Sequence, residues 1–304
     1  MALPAGKRAF VVVVILHLVM ASLTGAATAW AAEALSEADR QRYTSALTLL
    51  QDGHVDRGLA LARQGSHPLA NKIVAWFYLG RRDSDAGFSE ISAFLEANPD
   101  WPGLFGLYRN AELKLPQTLS PSEVLAWFGD RQAITGTGAL RHVAALWDSG
   151  QQERAREAAR QYWVDADFDS REESAFHRHF KSLLRDEDEL ARLDRLLWDQ
   201  RSADARRQLQ RVPSGAAALA RARLALLDDQ PGVDALIERV PAALRDDPGL
   251  TYARAVWRQR RGRFEGVVEL LDSLPPQFPQ TTAWWRLRNW AVWRGLDRKD
   301  YDLA

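Results

Sequence analysis

The chain has 304 residues, of which 40 are Lys or Arg and 40 are Asp or Glu, and it has no cysteine. This balance gives no electrostatic footprint for nucleic acid or for an anionic membrane surface. The missing cysteines exclude disulfides, thiolate metal sites and a lipid-bearing thiol near the N-terminus.

Taken in chain order, the first segment reads as an export signal. Lys7 and Arg8 give a short basic start, Phe10 to Val19 an apolar stretch, and Ala29-Trp30-Ala31 an A-x-A cleavage site. Residues 1–31 are therefore expected to be a Sec-type signal peptide of a periplasmic protein that keeps no stable membrane anchor after cleavage. An uncleaved anchor is the alternative, because no formal charge lies between Ala9 and Ala32. The second half of that stretch is too rich in Ala, Thr and Gly to make a convincing span. Without Lys7 and Arg8, 38 basic residues face 40 acidic ones.

From Ser36 onward nearly every segment carries an apolar face at helical spacing. Examples are Leu47 and Leu50, then Ile73, Trp76, Phe77 and Leu79, and later Leu190, Leu193, Leu196 and Leu197. No β-branched run alternates with polar residues after the valines of the leader, so no sheet is expected. Gly and Pro punctuate the chain at short intervals, Gly where helices close and Pro where they open. Ser120-Pro121-Ser122-Glu123 reads as a capped helix start with Pro at its first position.

Three segments look alike. Gly53 precedes Arg57-Gly58-Leu59-Ala60, Gly150 precedes Arg154-Ala155-Arg156-Glu157, and Gly262 precedes Glu265-Gly266-Val267-Val268. A turn glycine followed by a helix with small inner residues is the mark of stacked helix pairs. The expected fold for residues 32–304 is therefore all-α: a curved superhelix of antiparallel helix pairs, similar to tetratricopeptide arrays but irregular in period. The chain stops at Tyr301-Asp302-Leu303-Ala304 with no breaker and no polar capping repeat, so it is expected either to be cut short or to continue into a partner.

Several segments resemble, in order, the N-terminal helical region of the soluble lytic murein transglycosylases. They are Phe94-Leu95-Glu96-Ala97-Asn98-Pro99-Asp100-Trp101-Pro102 with Arg109-Asn110-Ala111-Glu112; Trp127-Phe128 with Thr135-Gly136-Thr137-Gly138; Arg192 to Trp198; Asp247 to Arg254; and Trp284-Trp285-Arg286-Leu287-Arg288. The resemblance implies a periplasmic helical ring and a lysozyme-like domain attached at its C-terminal end. That domain would cleave the bond between N-acetylmuramic acid and N-acetylglucosamine in peptidoglycan, leaving a 1,6-anhydro product. The implied partners are peptidoglycan glycan strands and other cell-wall enzymes, with no cofactor.

The family's catalytic glutamate is followed by serine and then by Gly-Leu-Met-Gln. Glu173-Ser174 is followed instead by Ala175-Phe176-His177-Arg178, and the only methionines are Met1 and Met20. Glu173 is thus expected to be a surface helix residue, and no catalytic residue is assigned. Two histidines two apart, His177 and His179, point to different helix faces and are not a metal pair. Gly136-Thr137-Gly138 follows no strand and is expected to link two helices. The run Arg185-Asp186-Glu187-Asp188-Glu189 is expected to be a solvated helix start.

The remaining candidates are aromatic. Trp257 and Arg258, with Arg254 and Arg261 nearby, and Trp284, Trp285 and Arg288 combine rings that stack on sugars with guanidinium groups that hold carboxylates. Core packing between helix pairs, with arginines reaching out from the rim, is the competing reading for the same residues.

Overall fold

The computed structural model describes residues 35–274 and 280–299. The leader reading and the last residues lie outside that range. Among the described residues all regular structure is helical, as the periodicity predicts. No helix there is long and apolar enough to cross a membrane.

The first compact unit runs to Ser84. It contains α1 (Glu37–Gln51), α2 (Val55–Ala62) and α3 (Pro68–Leu79). Tyr43, Ala46, Leu47 and Leu50 of α1 are buried, and α2 and α3 pack against that helix. The Tyr43 hydroxyl lies 3.1 Å from Asn71 Oδ1 and accepts from the His67 N–H.

The second unit begins at Asp85. It contains α4 (Phe88–Ala97), α5 (Phe105–Leu113), α6 (Pro121–Phe128), α7 (Gly136–Asp148), α8 (Gln152–Asp165), α9 (Ser170–Phe180), α10 (Asp186–Trp198) and α11 (Ser202–Gln208). It continues with α12 (Ser214–Leu227), α13 (Val233–Glu238), α14 (Pro248–Arg260), α15 (Phe264–Asp272) and α16 (Thr281–Asp297). Helices α8, α10, α12, α14 and α16 each pack on the next member of that set, and α11, α13 and α15 pack on the helix before them. This is a stack of helix pairs, in which each pair buries its apolar face mainly against its neighbours, with α10 also reaching α14 through Trp198 and Tyr252.

The turn inside the pairs is the repeated element. After α1, α7, α10, α12 and α14 comes one residue with positive φ: Gly53, Gly150, Gln200, Asp229 and Gly262. In all five turns its N–H donates to the carbonyl three residues back, and the next N–H donates five residues back at 2.8–3.0 Å. These are Schellman caps, which satisfy the last free carbonyls of a helix. A side chain at Gln200 or Asp229 pays a steric cost in this conformation that Gly does not. Gln200→Gly is accordingly expected to stabilise the chain by about 0.5 kcal/mol, the steric relief outweighing the greater freedom of Gly in the unfolded chain. Urea denaturation of the two forms measures it, and a loss of stability would contradict the strain argument.

Gly136-Thr137-Gly138 does not link helices; it is the first turn of α7, capped by Thr135, whose hydroxyl accepts from the Gly138 N–H. Two carboxylates from other helices sit over that turn. Glu112 of α5 accepts from the Ile134 N–H, the Thr135 N–H at 2.7 Å and the Thr135 hydroxyl at 2.8 Å. Glu172 of α9 accepts from the Thr137 N–H and hydroxyl. The free N–H groups and positive end of a helix N-terminus favour such docking. A Cβ on Gly138 would lie 2.4 Å from Glu112 Oε2, so the glycine makes room for the carboxylate.

The acidic start of α10 is solvated in part only. Asp186 and Glu187 are exposed, but Asp188 and Glu189 are buried. Asp188 accepts from the Arg185 N–H, and Glu189 accepts from Trp163 Nε1 at 3.0 Å and from Gln208 Nε2. His177 Nε2 lies 3.1 Å from the same Glu189 carboxylate, while His179 is exposed.

His142 of α7 stacks on the Phe128 ring at 4.6 Å, with its Nδ1 2.8 Å from the Tyr162 hydroxyl. That hydroxyl accepts from the Ala133 N–H, so its own proton is directed to His142. Burial, with Arg154 and Arg131 nearby, holds the imidazole down at about 4. Because the folded value lies below the ordinary 6.5, the unfolded chain binds this proton more readily. The neutral imidazole's contribution is therefore complete above pH 6.5 and lost as pH falls from 6.5 toward 4. After discounting for partial exposure, the loss is about 1–2 kcal/mol. Thermal melts at pH 7.5 and 4.5 should show a drop that shrinks in His142→Gln; an equal drop in both would assign the effect to other groups.

Candidate ligand groove

Helix α14 faces two ways. Tyr252 and Ala255 turn toward a cluster with Val267, Leu270, Trp284 and Leu287. Leu250, Ala253 and Trp257 turn toward α12 and α13. The five sequence candidates are accordingly divided. Trp284 is 0% exposed and belongs to the core, in edge-to-face contact with Tyr252 at 5.1 Å. Trp285 is 67% exposed, and Arg288 is exposed on the same helix. Trp257 and Arg258 line a groove on the other face of α14.

This groove has a volume of about 470 Å³. Leu226, Val233, Ile237 and Trp257 supply its apolar surface, Asp234 and Glu238 its acids, and Arg254, Arg258 and Arg263 its bases. Stacking holds the Trp257 ring in place: the Arg261 guanidinium lies 3.9 Å from the ring centroid and that of Arg263 lies 5.2 Å from it. Arg261 is itself anchored by Asp229, the residue of the Schellman turn. The Trp257 Nε1 is buried and has no hydrogen-bond partner among the described residues. A buried indole N–H normally finds an acceptor.

The charges on the wall differ in how they are used. Arg258 donates to the Gly266 carbonyl and pairs with Glu269 at 3.0 Å. Arg254 makes no hydrogen bond or ion pair among the described residues, and the Asp234 and Glu238 carboxylates make none either. The arrangement offers an aromatic residue and charges of both signs. It suits a small polar ligand with an apolar body.

Sequence reasoning singled out Trp257, Arg258 and Arg254 but missed α13. That helix has six residues after a left-handed Gly232, too few to show a period. The signal was there in a weaker form: Asp234 and Glu238 are four apart, as are Val233 and Ile237, so each pair shares a face.

Glu173 is not a surface residue. It is 1% exposed, and three arginines surround it. Arg207 Nη2 and Arg211 Nη1 each approach the carboxylate at 2.7 Å, and Arg192 Nη2 lies 3.8 Å away. Phe176 and Phe180 are buried three and seven residues later, so Glu173 continues the inward stripe of α9. Among the described residues, no three His, Asp or Glu side chains come together in a metal-binding group.

The fold and groove define an all-α protein of stacked helix pairs that carries, among the described residues, an aromatic, mixed-charge groove. No known family model, no curated protein and no solved structure matches the chain.

Proposed function

We propose that this chain is the helical module of a periplasmic lytic transglycosylase, which holds peptidoglycan while bond cleavage is carried out by a catalytic domain elsewhere. The observation that carries the reading is the groove, where Trp257 lines the wall beside apolar side chains and Arg254 presents a guanidinium with no hydrogen bond or ion pair among the described residues, for a sugar or a carboxylate. The ordered resemblance supports it. Its segments also pack on one another: Arg223 bridges Asp194 of one segment and Asp247 of another, at 2.6 Å and 3.6 Å.

Co-sedimentation with purified sacculi tests the proposal. The intact chain should pellet with sacculi and release no anhydro-muropeptides. Trp257→Ala and Arg254→Ser, checked for unchanged helicity, should each weaken binding about tenfold, the loss of one well-used contact. A chain that stays in the supernatant, or variants that pellet as well as the parent, would overturn it.

A second reading is a periplasmic scaffold that binds other cell-wall proteins. One observation favours it: Trp285 and Trp293 of α16 are 67% and 62% exposed, eight residues apart. Trp and Arg are the residues that anchor protein interfaces. If Trp285→Ala and Trp293→Ala abolish capture of a cell-wall enzyme while sacculus binding is unaffected, the scaffold role stands beside the first.

A further inference from the structure

We infer that the groove reads a short peptide zwitterion, a ligand with a free ammonium and a free carboxylate, rather than an uncharged sugar ring. This rests on the reading above and names the part of peptidoglycan that the groove would take: the peptide stem, which carries both kinds of group.

The argument starts from the distribution of charge. Acids come from α13, as Asp234 and Glu238 one helical turn apart. Bases come from α14 and the turn after it, as Arg254 and Arg263. Oppositely charged groups lining one groove of about 470 Å³ would satisfy one another most simply by pairing. Yet no ion pair joins Asp234 or Glu238 to any base among the described residues. The third base shows the alternative: Arg258 is neutralised by Glu269, so it positions wall atoms and is not counted as a ligand contact.

A neutral glycan can hydrogen-bond to these groups through its hydroxyls but brings no charge to compensate either the acids of α13 or the base Arg254. A purely anionic ligand would use Arg254 and Arg263 but would be repelled by Asp234 and Glu238. A zwitterion satisfies both sets: its carboxylate meets Arg254 or Arg263 in the planar geometry that guanidinium favours, and its ammonium meets Asp234 or Glu238. The Trp257 Nε1 has no acceptor among the described residues but is itself buried, so it is not counted as a ligand contact.

Isothermal titration of the intact chain decides this with four probes: a free tetrapeptide stem released from peptidoglycan by an amidase, its N-acetylated form, its carboxyl-amidated form, and chitotetraose. The free stem should bind, and each capped form should bind about tenfold more weakly, as expected for losing one charge-assisted contact at a partly solvated site. Chitotetraose should not bind measurably. The double variant Asp234→Asn/Glu238→Gln, both exposed positions, should lose the preference for the free over the acetylated stem while keeping the preference for the free over the amidated one. Equal binding of free and acetylated stems, or tighter binding of chitotetraose, would overturn the inference. If sacculi pellet the chain but the free stem does not bind, the zwitterion reading fails and the peptidoglycan reading survives. If the free stem binds and sacculi do not, the peptidoglycan reading fails while the ligand class holds.

Discussion

Glu173→Ala is expected to destabilise the second unit by about 3–5 kcal/mol, the cost of leaving a buried charge without its partner. The three arginines around this carboxylate do not share the loss equally. Arg207 and Arg211 are partly exposed and can turn toward water. Arg192 cannot: it is 1% exposed, its guanidinium lies 4.3 Å over the Trp163 ring, and Nη1 donates to the Trp163 carbonyl at 2.6 Å. Burial already pulls Arg192 down to about 10 against the pull of Glu173. Removing the carboxylate removes the group that keeps the cation tolerable there. The pairing test follows from the same physics. Replacing both partners, Glu173→Leu with Arg192→Met, should recover much of the loss, because an apolar pair needs no compensation. Urea denaturation followed by tryptophan fluorescence measures all three forms. A cost below 1 kcal/mol for Glu173→Ala would mean that the ion cluster is not a structural element.

Glu112→Ala is expected to cost about 3 kcal/mol, because it leaves the buried Thr135 N–H and the partly buried Ile134 N–H without an acceptor. Glu112 is 0% exposed. Burial pushes its carboxyl up, and the N–H groups of Ile134 and Thr135 and the Thr135 hydroxyl pull it back. Gly138 gives an independent check. Its missing side chain makes room for the carboxylate, since a Cβ there would stand 2.4 Å from Oε2. Gly138→Ala should therefore cost a similar amount in the parent and much less in the Glu112→Ala background. Such coupling is what a double-mutant cycle detects between touching groups. Additive costs would show that Gly138 serves some other need.

These two carboxylates also mark where reading the sequence stopped short. Helix content was legible because the apolar period is carried by many leucines and alanines. The turns were legible where they used glycine. Gly53, Gly150 and Gly262 disclosed three of the five Schellman turns, whereas Gln200 and Asp229 adopt the same conformation with ordinary side chains and were invisible. Charged residues were misplaced for a shared reason. Glu173 and Glu189 are buried because their partners lie 34 and 26 residues away, in Arg207 and Trp163, and no local pattern reports a partner at that distance. Gly136-Thr137-Gly138 resembled a linker because its real partners, Glu112 and Glu172, come from two other helices. At the groove, Trp257 and Arg258 were legible as an aromatic next to a base. Their division from Trp284 was not, because a Trp beside an Arg carries the same local pattern whether its ring enters the core, as in α16, or lines a groove, as in α14.

The resemblance segments are explained by the same contacts. Asn98 closes α4 by donating to the Phe94 carbonyl at 2.8 Å, and Trp101 meets the Phe94 ring edge-on at 6.1 Å. Glu112 docks on Thr135. Asp194 holds Arg223, which lies 5.3 Å over the Trp198 ring. These residues position helices; the groove residues Asp234, Glu238 and Arg263 lie outside the segments.

Hydrogen–deuterium exchange of the intact chain, with and without soluble peptidoglycan fragments, tests the central claim most directly. The account predicts slowed exchange over residues 233–263, which form the groove wall, and none confined to α16. Protection of α16 alone, or no protection at all at saturating fragment, would contradict the claim that the groove holds peptidoglycan.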